Sequence, residues 1–509
     1  MNENINLSNI NKINLKLIKI LFLGYGGVAK CVLNYFKYYF DFDITKVYLI
    51  DKFEKTFYGP VQSEIPETNK YIVKIQSENF DEYIIKKLNF SEGDLIIDLT
   101  YCSNTYYFVK RCLELGINYI NTSIEDYNDN FLGTSICLQQ YLIKKQFNEF
   151  KINNKIKSNV LIEFGQNPGL IQHYVIYALN KLAKLKNPNF SNTWNISELK
   201  HVITDYKIGT ILMSEIDEMK KTNDVHDDTY KLFNTWSVSG FLGECLDNAE
   251  LVYGKKNKFV KPQIPNYIVD NEKNLILKSI IPNNDLQYDV LFLHEIGINC
   301  TLYSISPTIN INGDVKYCGF DGRLIHHGEI FEFASIFGDM SPFMSYCYKI
   351  NKYAEHSLIK NMNKTKYSNS FDLKLKINNS NDDFFVYDNH NTSESDKIIG
   401  YDSIGCTIFC GDKDIDAIYW CGSILSSNDS NIIDMFTPTI IQVASGVLTG
   451  ISYIMEPINK LKGLILPCDL DTPYVLEKSI KLLGKFFFTQ IPIEKFNKKS
   501  LQFKINKIV

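Results

Sequence analysis

Three groups of residues in this 509-residue chain have types and spacing suited to chemistry. The first is Gly24-Tyr25-Gly26-Gly27-Val28-Ala29, directly after an apolar run. In a Gly-x-Gly-x-x-Ala loop the first glycine permits a tight turn. The second removes the side chain that would block a pyrophosphate, and the small third residue lets the following helix approach the sheet. The first N–H groups of that helix then face the phosphates, where the helix dipole favours negative charge. The next apolar run, Val47–Ile50, ends in Asp51. A carboxylate there accepts hydroxyls of an adenosine ribose and repels the extra phosphate of NADP, so the pattern points to NAD. The competing reading is a plain strand–turn–helix with an Asp capping a turn. Strand, glycines and acid occurring together favour the dinucleotide.

The second group is Ser214-Glu215-Ile216-Asp217, and the third is Asn234-Thr235-Trp236-Ser237-Val238-Ser239-Gly240-Phe241-Leu242-Gly243-Glu244 with His326-His327-Gly328-Glu329 further on. Trp236 is one of three tryptophans in the chain. Each piece alone has an ordinary explanation. A Trp is most often a core anchor, glutamates are mostly solvated, and paired histidines are often loop residues. His326, His327 and Glu329 lack a third ligand at helical spacing, so no metal is expected.

The elements that must position these residues alternate strand and helix over 17–125. Tyr71–Ile75 reads as a third strand, and Asp94–Leu99 as a buried strand running into Thr100-Tyr101-Cys102-Ser103. Ligands of doubly wound sheets lie beyond the carboxyl ends of the strands, so Thr100 and Tyr101 are expected to touch the cofactor, as is Thr122 at the end of the strand Tyr119–Thr122, which leads to Glu125. Val160–Phe164 enters Gly165-Gln166-Asn167-Pro168-Gly169, where Asn167 reads as an N-cap and Pro168 as the first helical residue. From about Lys186 the pattern turns strand-like, with Leu199–Asp205, Leu291–Glu295, Cys300–Ile305, Tyr401–Cys410 and Ile418–Leu425 as strands. Lys255–Asp285 and Asn361–Asp396 read as polar surface insertions. Thr439–Met455, begun by Thr437-Pro438, reads as a long apolar helix packed between domains or at a subunit interface.

A chain of this length needs two or three domains. Its composition, 45% hydrophobic and 22% charged, is that of a soluble globular protein. The net charge of −4 gives no electrostatic case for nucleic acid, but suits a small cation if the acids share one pocket. No apolar run is long enough for a membrane span, and no signal-peptide core opens the chain. The 12 cysteines lack metal-type pairs and read as reduced thiols of a cytoplasmic protein.

The chain resembles bacterial-type homospermidine synthase, a relative of the saccharopine dehydrogenase group, from about Ile18 to Phe487. The most specific stretches are Asn-Thr-Trp-Ser-Val-x-Gly-Phe from Asn234, Asn167-Pro168-Gly169, His327-Gly328-Glu329 and Tyr419-Trp420-x-Gly422-Ser423. Gln442–Gly450 and Asp469-Leu470-Asp471 match too. The resemblance implies NAD held as a prosthetic group. A hydride leaves the aminated carbon of putrescine, the imine exchanges ammonia for a second putrescine, and the hydride returns to give homospermidine. It implies an α/β fold with a Rossmann doubly wound parallel sheet in residues 1–165. A mixed α/β catalytic and dimerisation domain follows in 166–435, and a segment, 436–509, returns to the first domain. Residue by residue, Trp236 matches a π face for a cation, and Glu215 and Glu244 match acids that hold ammonium groups. His327 matches a proton acceptor at the reacting amine, and Asn167 an asparagine beside nicotinamide and substrate. Glu125 matches an acid at the entrance and Asp402 one deeper in the pocket. Cofactor contacts are expected from Gly24, Gly26, Gly27, Val28, Asp51, Thr100, Tyr101, Thr122, Asn167 and Pro168. The implied partners are putrescine, and spermidine as a further polyamine, in a homodimer.

Two departures stand out. Gln166 replaces the family's alanine beside Asn167, and the chain is longer than the pattern between Glu244 and His327. His294-Glu295 is therefore a competing pair. A net-redox dehydrogenase of the carboxyspermidine or saccharopine type would need a basic residue at the ribose, for which only Lys52 is near. A non-catalytic NAD-binding protein would keep the glycine loop without turnover.

Overall fold

Short apolar runs flanked by helices must be buried on both faces, which favours a parallel sheet. The computed structural model bears this out. It describes residues 11–57, 61–100, 104–124, 135–153, 156–221, 232–282, 285–310, 313–365, 384–386, 398–429, 435–457, 459, 461–496 and 501–506. The chain divides into two units, Met1–Leu170 with Ile440–Leu482, and Ile171–Thr439 with Leu483–Val509.

The first unit is built on β1 (Ile20–Leu23), β2 (Val47–Asp51), β3 (Lys70–Ile72), β4 (Leu95–Asp98), β5 (Asn118–Asn121) and β6 (Asn159–Leu161). The spatial order is β3-β2-β1-β4-β5-β6, with Gly463–Ile465 beyond β6. Every pairing is parallel. The order reverses between β1 and β4, which opens a crevice at their carboxyl ends, as expected of a doubly wound nucleotide fold. The helix α1 (Gly27–Tyr39) follows β1 and buries Ala29, Val32, Leu33 and Phe36.

The apolar helix Pro438–Met455 is, among the described residues, the one helix long and apolar enough to cross a membrane, and 89% of that stretch is buried within the protein. The apolar runs are therefore longer than the sequence reading allowed. Its residues 446 and 450 lie one turn apart on one face. A Cβ at Gly446 would meet the Gly165 carbonyl oxygen at 2.1 Å, and one at Gly450 would meet Ile120, Phe164 and Leu161 within 3.0 Å. The helix thus lies directly on the end of the parallel sheet.

The second unit is a ten-stranded mixed sheet around β7 (Ile208–Asp217), with β8 (Phe343–Lys349) on one side and β9 (Tyr401–Cys410) then β10 (Ala417–Ser426) on the other. The β7–β8 pair is parallel, whereas β9 runs antiparallel to β7. One face of β7, β8 and β9 carries Leu212, Ile216, Phe343, Cys347 and Phe409 into an apolar cluster with Trp420 and Leu302. Alternation along each strand turns the polar residues to the opposite face.

Three expectations need correction. Leu199–Asp205 is a helix, Lys200–Asp205, because the strand signal begins only at Ile208. Asn167 is not an N-cap. The helix starts at Leu170, and Gly165–Gly169 closes on itself through Gly165 N–H to Pro168 C=O at 2.7 Å. Lys255–Asp285 is not a surface insertion. Val260 and Ile268 join the apolar cluster, and Asn257 is buried, donating to Ile208 and Met340 carbonyls at 3.0 and 3.1 Å. Most of Asn361–Asp396 lies outside the described residues.

Candidate functional site

In the first unit, the residues after β1 form a cradle. Gly24 has φ +82°, and a Cβ there would lie 2.8 Å from the Leu99 carbonyl oxygen at the end of β4. The turn therefore demands glycine. Gly26 differs, because a Cβ on it would meet nothing within 4 Å. The space it leaves faces the start of α1, whose N-cap, Gly26, has no side-chain hydrogen bond. A backbone with open N–H groups and no Cβ is the receptor that a pyrophosphate requires. Gly27 is packed instead, its Cβ position 3.0 Å from Ile440, and Val28 is half-buried beside it.

Asp51, at the end of β2, is fixed by two backbone donors. Tyr25 N–H reaches Oδ2 at 2.7 Å and Phe53 N–H reaches Oδ1 at 2.9 Å. The acid thus clamps the glycine loop and keeps acceptor capacity for a hydroxyl. Lys52, the nearest basic residue, lies 4.8 Å from the Phe53 ring. Thr100 closes onto Asp98 Oδ1 through its N–H at 3.0 Å and its hydroxyl at 2.6 Å. Asp98 Oδ2 in turn accepts from Tyr119 Oη at 2.7 Å. Thr122 packs its methyl near Gly165, and Asn167 and Pro168 sit in the tight loop. Tyr101 and Glu125 lie outside the described residues.

In the second unit the polar sheet face assembles residues far apart in sequence. Glu215 and Asp217 alternate on β7, and Asp402 of β9 stands directly opposite Asp217. Tyr348 of β8 stands opposite Glu215, with Tyr346 two residues before it on the same face. Tyr346 donates its hydroxyl to Glu215 Oε2. Asp217 accepts from Thr235 Oγ1 at 2.7 Å, from Asn351 at 3.1 Å and from the Met219 N–H at 3.0 Å. Asp402 accepts from Thr439 Oγ1 at 2.6 Å, while its Oδ1 is buried with no hydrogen-bond partner among the described residues.

Two helices complete the set. In α2 (Val238–Leu246) the Ser237 hydroxyl caps the Gly240 N–H at 3.1 Å. A Cβ at Gly240 would lie 2.8 Å from the Trp236 ring, so this glycine seats the indole. The indole is within reach of the Tyr348 hydroxyl. The same helix delivers Glu244. The helix α3 (Gly328–Phe337) starts immediately after His327 and carries Glu329 in its first turn, fully buried, where the dipole favours a negative charge. His327 lies between the acids, with Nε2 3.3 Å from Glu244 and Nδ1 3.4 Å from Glu329. Its ring stacks on Tyr346, with centroids 4.1 Å apart and planes at 10°. The competing His294 is 57% exposed and pairs with Asp270 at 3.6 Å.

Burial governs the electrostatics. It pushes Glu215 up to about 8, against the Tyr346 hydrogen bond and with the help of the Asp217 and Glu244 charges. It pushes Asp217 up to about 6, against its three donors. Asp402 is raised well above the carboxylate range by burial and then by Glu215 and Asp217. Burial also raises Glu244, opposed by His327. For His327 burial favours the neutral ring, but Glu329 and Glu244 outweigh it and hold the imidazolium. Buried acids gathered around one imidazolium have the chemistry to pair with a cation and to exchange protons with it. Among the described residues no cluster of His, Cys, Asp and Glu has an arrangement able to hold a metal ion.

Comparison with known proteins agrees with both halves. Residues 20–160 match the family described as saccharopine dehydrogenase NADP binding domain. The homospermidine synthase of Mesorhizobium japonicum is 23% identical over 91% of this chain and 88% of its own length. That of Blastochloris viridis is 21% identical over 91% and 89%. The solved homospermidine synthase of Legionella pneumophila, in complex with NAD, superposes with a TM-score of 0.71. It covers 94% of this chain and 92% of its own, at 20% identity. The chain resembles the homospermidine synthases. The resemblance spans both units, and the solved relative shares the fold.

Asp217 and Glu329 stood in the groups picked out from sequence but were given no place in the amine site, and Tyr346 and Tyr348 were not picked out. The signals were there. Glu215-x-Asp217 and Tyr346-x-Tyr348 are i, i+2 pairs of large polar residues on strands otherwise apolar, and such pairs share a face.

Proposed function

We propose that this protein is a homospermidine synthase that joins two putrescines, with NAD bound as a prosthetic group and release of ammonia. The observation that carries the reading is the pocket's charge. Glu215, Asp217, Glu244, Glu329 and Asp402 share it with one imidazole, His327. Such a set suits a ligand with two ammonium groups, and Trp236 offers a π face worth about 0.5–2 kcal/mol to a cation.

The glycine loop, Asp51 and the Thr100 turn would hold NAD. Bound NAD supplies a reversible hydride acceptor. Asp51 favours the unphosphorylated ribose and disfavours a 2′-phosphate, although the matching family is described by NADP. The protein's own residues handle charge and protons. An amine must lose a proton before its carbon can give up hydride, and the leaving ammonia must gain one. Glu244 would take the amine's proton, the His327 imidazolium would give one to the leaving ammonia, and the proton on Glu244 would then pass to His327 Nε2 across 3.3 Å. Glu215 and Asp402 would hold the distal ammonium. The same reading makes the protein a cytoplasmic homodimer, with spermidine as a further polyamine ligand beside putrescine.

The test is purified protein with putrescine and NAD, with amines followed by mass spectrometry and NADH by absorbance. Homospermidine and ammonia in equal amounts, without accumulating NADH, is the expected result. Stoichiometric NADH without homospermidine would make the protein a net dehydrogenase, the second reading that the NADP description favours.

A further inference from the structure

Tyr346 touches both working parts of the pocket and belongs to neither set of acids. Its hydroxyl donates to Glu215 Oε2, and its ring lies flat against the His327 imidazole at 4.1 Å and 10°. It is fully buried on β8, and its neighbour on the same face is Tyr348, opposite Glu215. We propose that Tyr346 is a positioning residue that couples the two ends of the amine site, holding Glu215 for the ammonium while setting the plane of His327. The proposal rests on the reading of this pocket as a diamine site and names a residue that reading does not use.

The physical argument has two parts. A phenol donating to one carboxylate oxygen stabilises the ionised form and fixes the other oxygen in direction. Stacking on the imidazole restricts the ring to one plane, so Nε2 points at Glu244 and Nδ1 at Glu329. The groups that bear on Glu215 are Asp217 on its own strand, Tyr346 and Tyr348 on β8, Asp402 on β9, Glu244 on α2 and His327 before α3. Of these, Tyr346 and His327 favour its charge, whereas the acids and burial oppose it. Removing the Tyr346 hydroxyl takes away a hydrogen bond that favours the ionised form, so Glu215 should hold its proton to higher pH.

Tyr346→Phe separates the parts, since it keeps the ring and deletes the hydroxyl. The first readout does not depend on turnover. Infrared difference spectra of the protein, with Glu215→Gln to assign the band, report the midpoint at which Glu215 loses its proton. In Tyr346→Phe that midpoint should move up by about one pH unit. The second readout is putrescine affinity by calorimetry across pH 6 to 9. It should fall about tenfold at pH 7 in the variant and recover towards the parent at pH 9. Tyr346→Leu, which also removes the stack, should stay weak at both. A midpoint and an affinity profile that superimpose on the parent overturn the proposal. Failure to make homospermidine would overturn the diamine reading and would leave the infrared midpoint to decide the role of Tyr346.

Discussion

His327 owes its character to neighbours and not to its place in the chain. Burial alone would strip its proton, and two glutamates at 3.3 and 3.4 Å retain it. A buried charge persists only when paired, so deleting one acid leaves His327 to the other and deleting both leaves an orphan. Trp236 works differently. It is half-buried at the mouth of α2, seated by Gly240 and beside Tyr348. On the proposed function its contribution is a cation–π contact with the amine, which a phenyl ring would partly replace and a methyl would not. Trp236→Ala should raise the putrescine KM about tenfold or more and largely abolish turnover, with NAD binding unchanged because the cofactor cradle lies in the other unit. Trp236→Phe should fall between. Steady-state kinetics with an NAD titration would decide, and an alanine variant with parental activity would remove Trp236 from the mechanism.

At the scale of elements, the local signals were legible and the paired ones were not. The strands β1, β2 and β4 and the turn into α1 read correctly because turn chemistry and strand apolarity are written within a few residues. The parallel order follows from that alternation. Leu199–Asp205 misled because a short apolar run fits strand or helix alike. Asn-Pro-Gly imitated a helix start, but Gly169, at φ +130°, closes the loop first. The acid face of β7 carries no local mark. It exists only because β8 and β9, more than a hundred residues away, pair with β7 in one register. For that reason Glu215, Glu244 and His327 took their roles from resemblance, Asp217 was noted beside Glu215 without a role, and Tyr346 was not named at all. The packing of Pro438–Met455 can be tested directly. Gly446→Ala gains about 1 kcal/mol of helix propensity, yet its Cβ would collide with the Gly165 carbonyl at 2.1 Å. Overpacking costs about 1–3 kcal/mol, so the net change should be destabilising. Each kcal/mol lowers Tm by about 2–4 °C in a unit of this size. The Gly165–Gly169 loop should shift with it and weaken NAD binding. A calorimetric melt equal to the parent's would show that the helix moves away without cost.

At the scale of the molecule, a net charge of −4 is modest, but the acids of the second unit are concentrated in one buried pocket. That concentration opposes stability, whereas the cationic ligand proposed above would offset it, and pH separates the two effects. Glu215 and Asp217 hold protons in the folded chain up to about 8 and about 6. The unfolded chain releases them near pH 4. Across that window the folded state binds more protons, so unfolding free energy falls as pH rises. His327, raised by Glu329 and Glu244, adds to the same slope, because its pairing is lost only when pH climbs through its folded value. A diamine reverses the trend. It pairs with carboxylates in their ionised form, so its affinity grows as the pocket loses protons. Calorimetric melts from pH 5 to 9 should show the free protein's Tm declining between pH 6 and 9. The shift caused by putrescine should be larger at pH 9 than at pH 6, and Glu215→Gln should flatten the decline. A Tm indifferent to pH, or a putrescine shift of the same size throughout, would mean that these acids are spent on the fold and are not held in readiness for a cation.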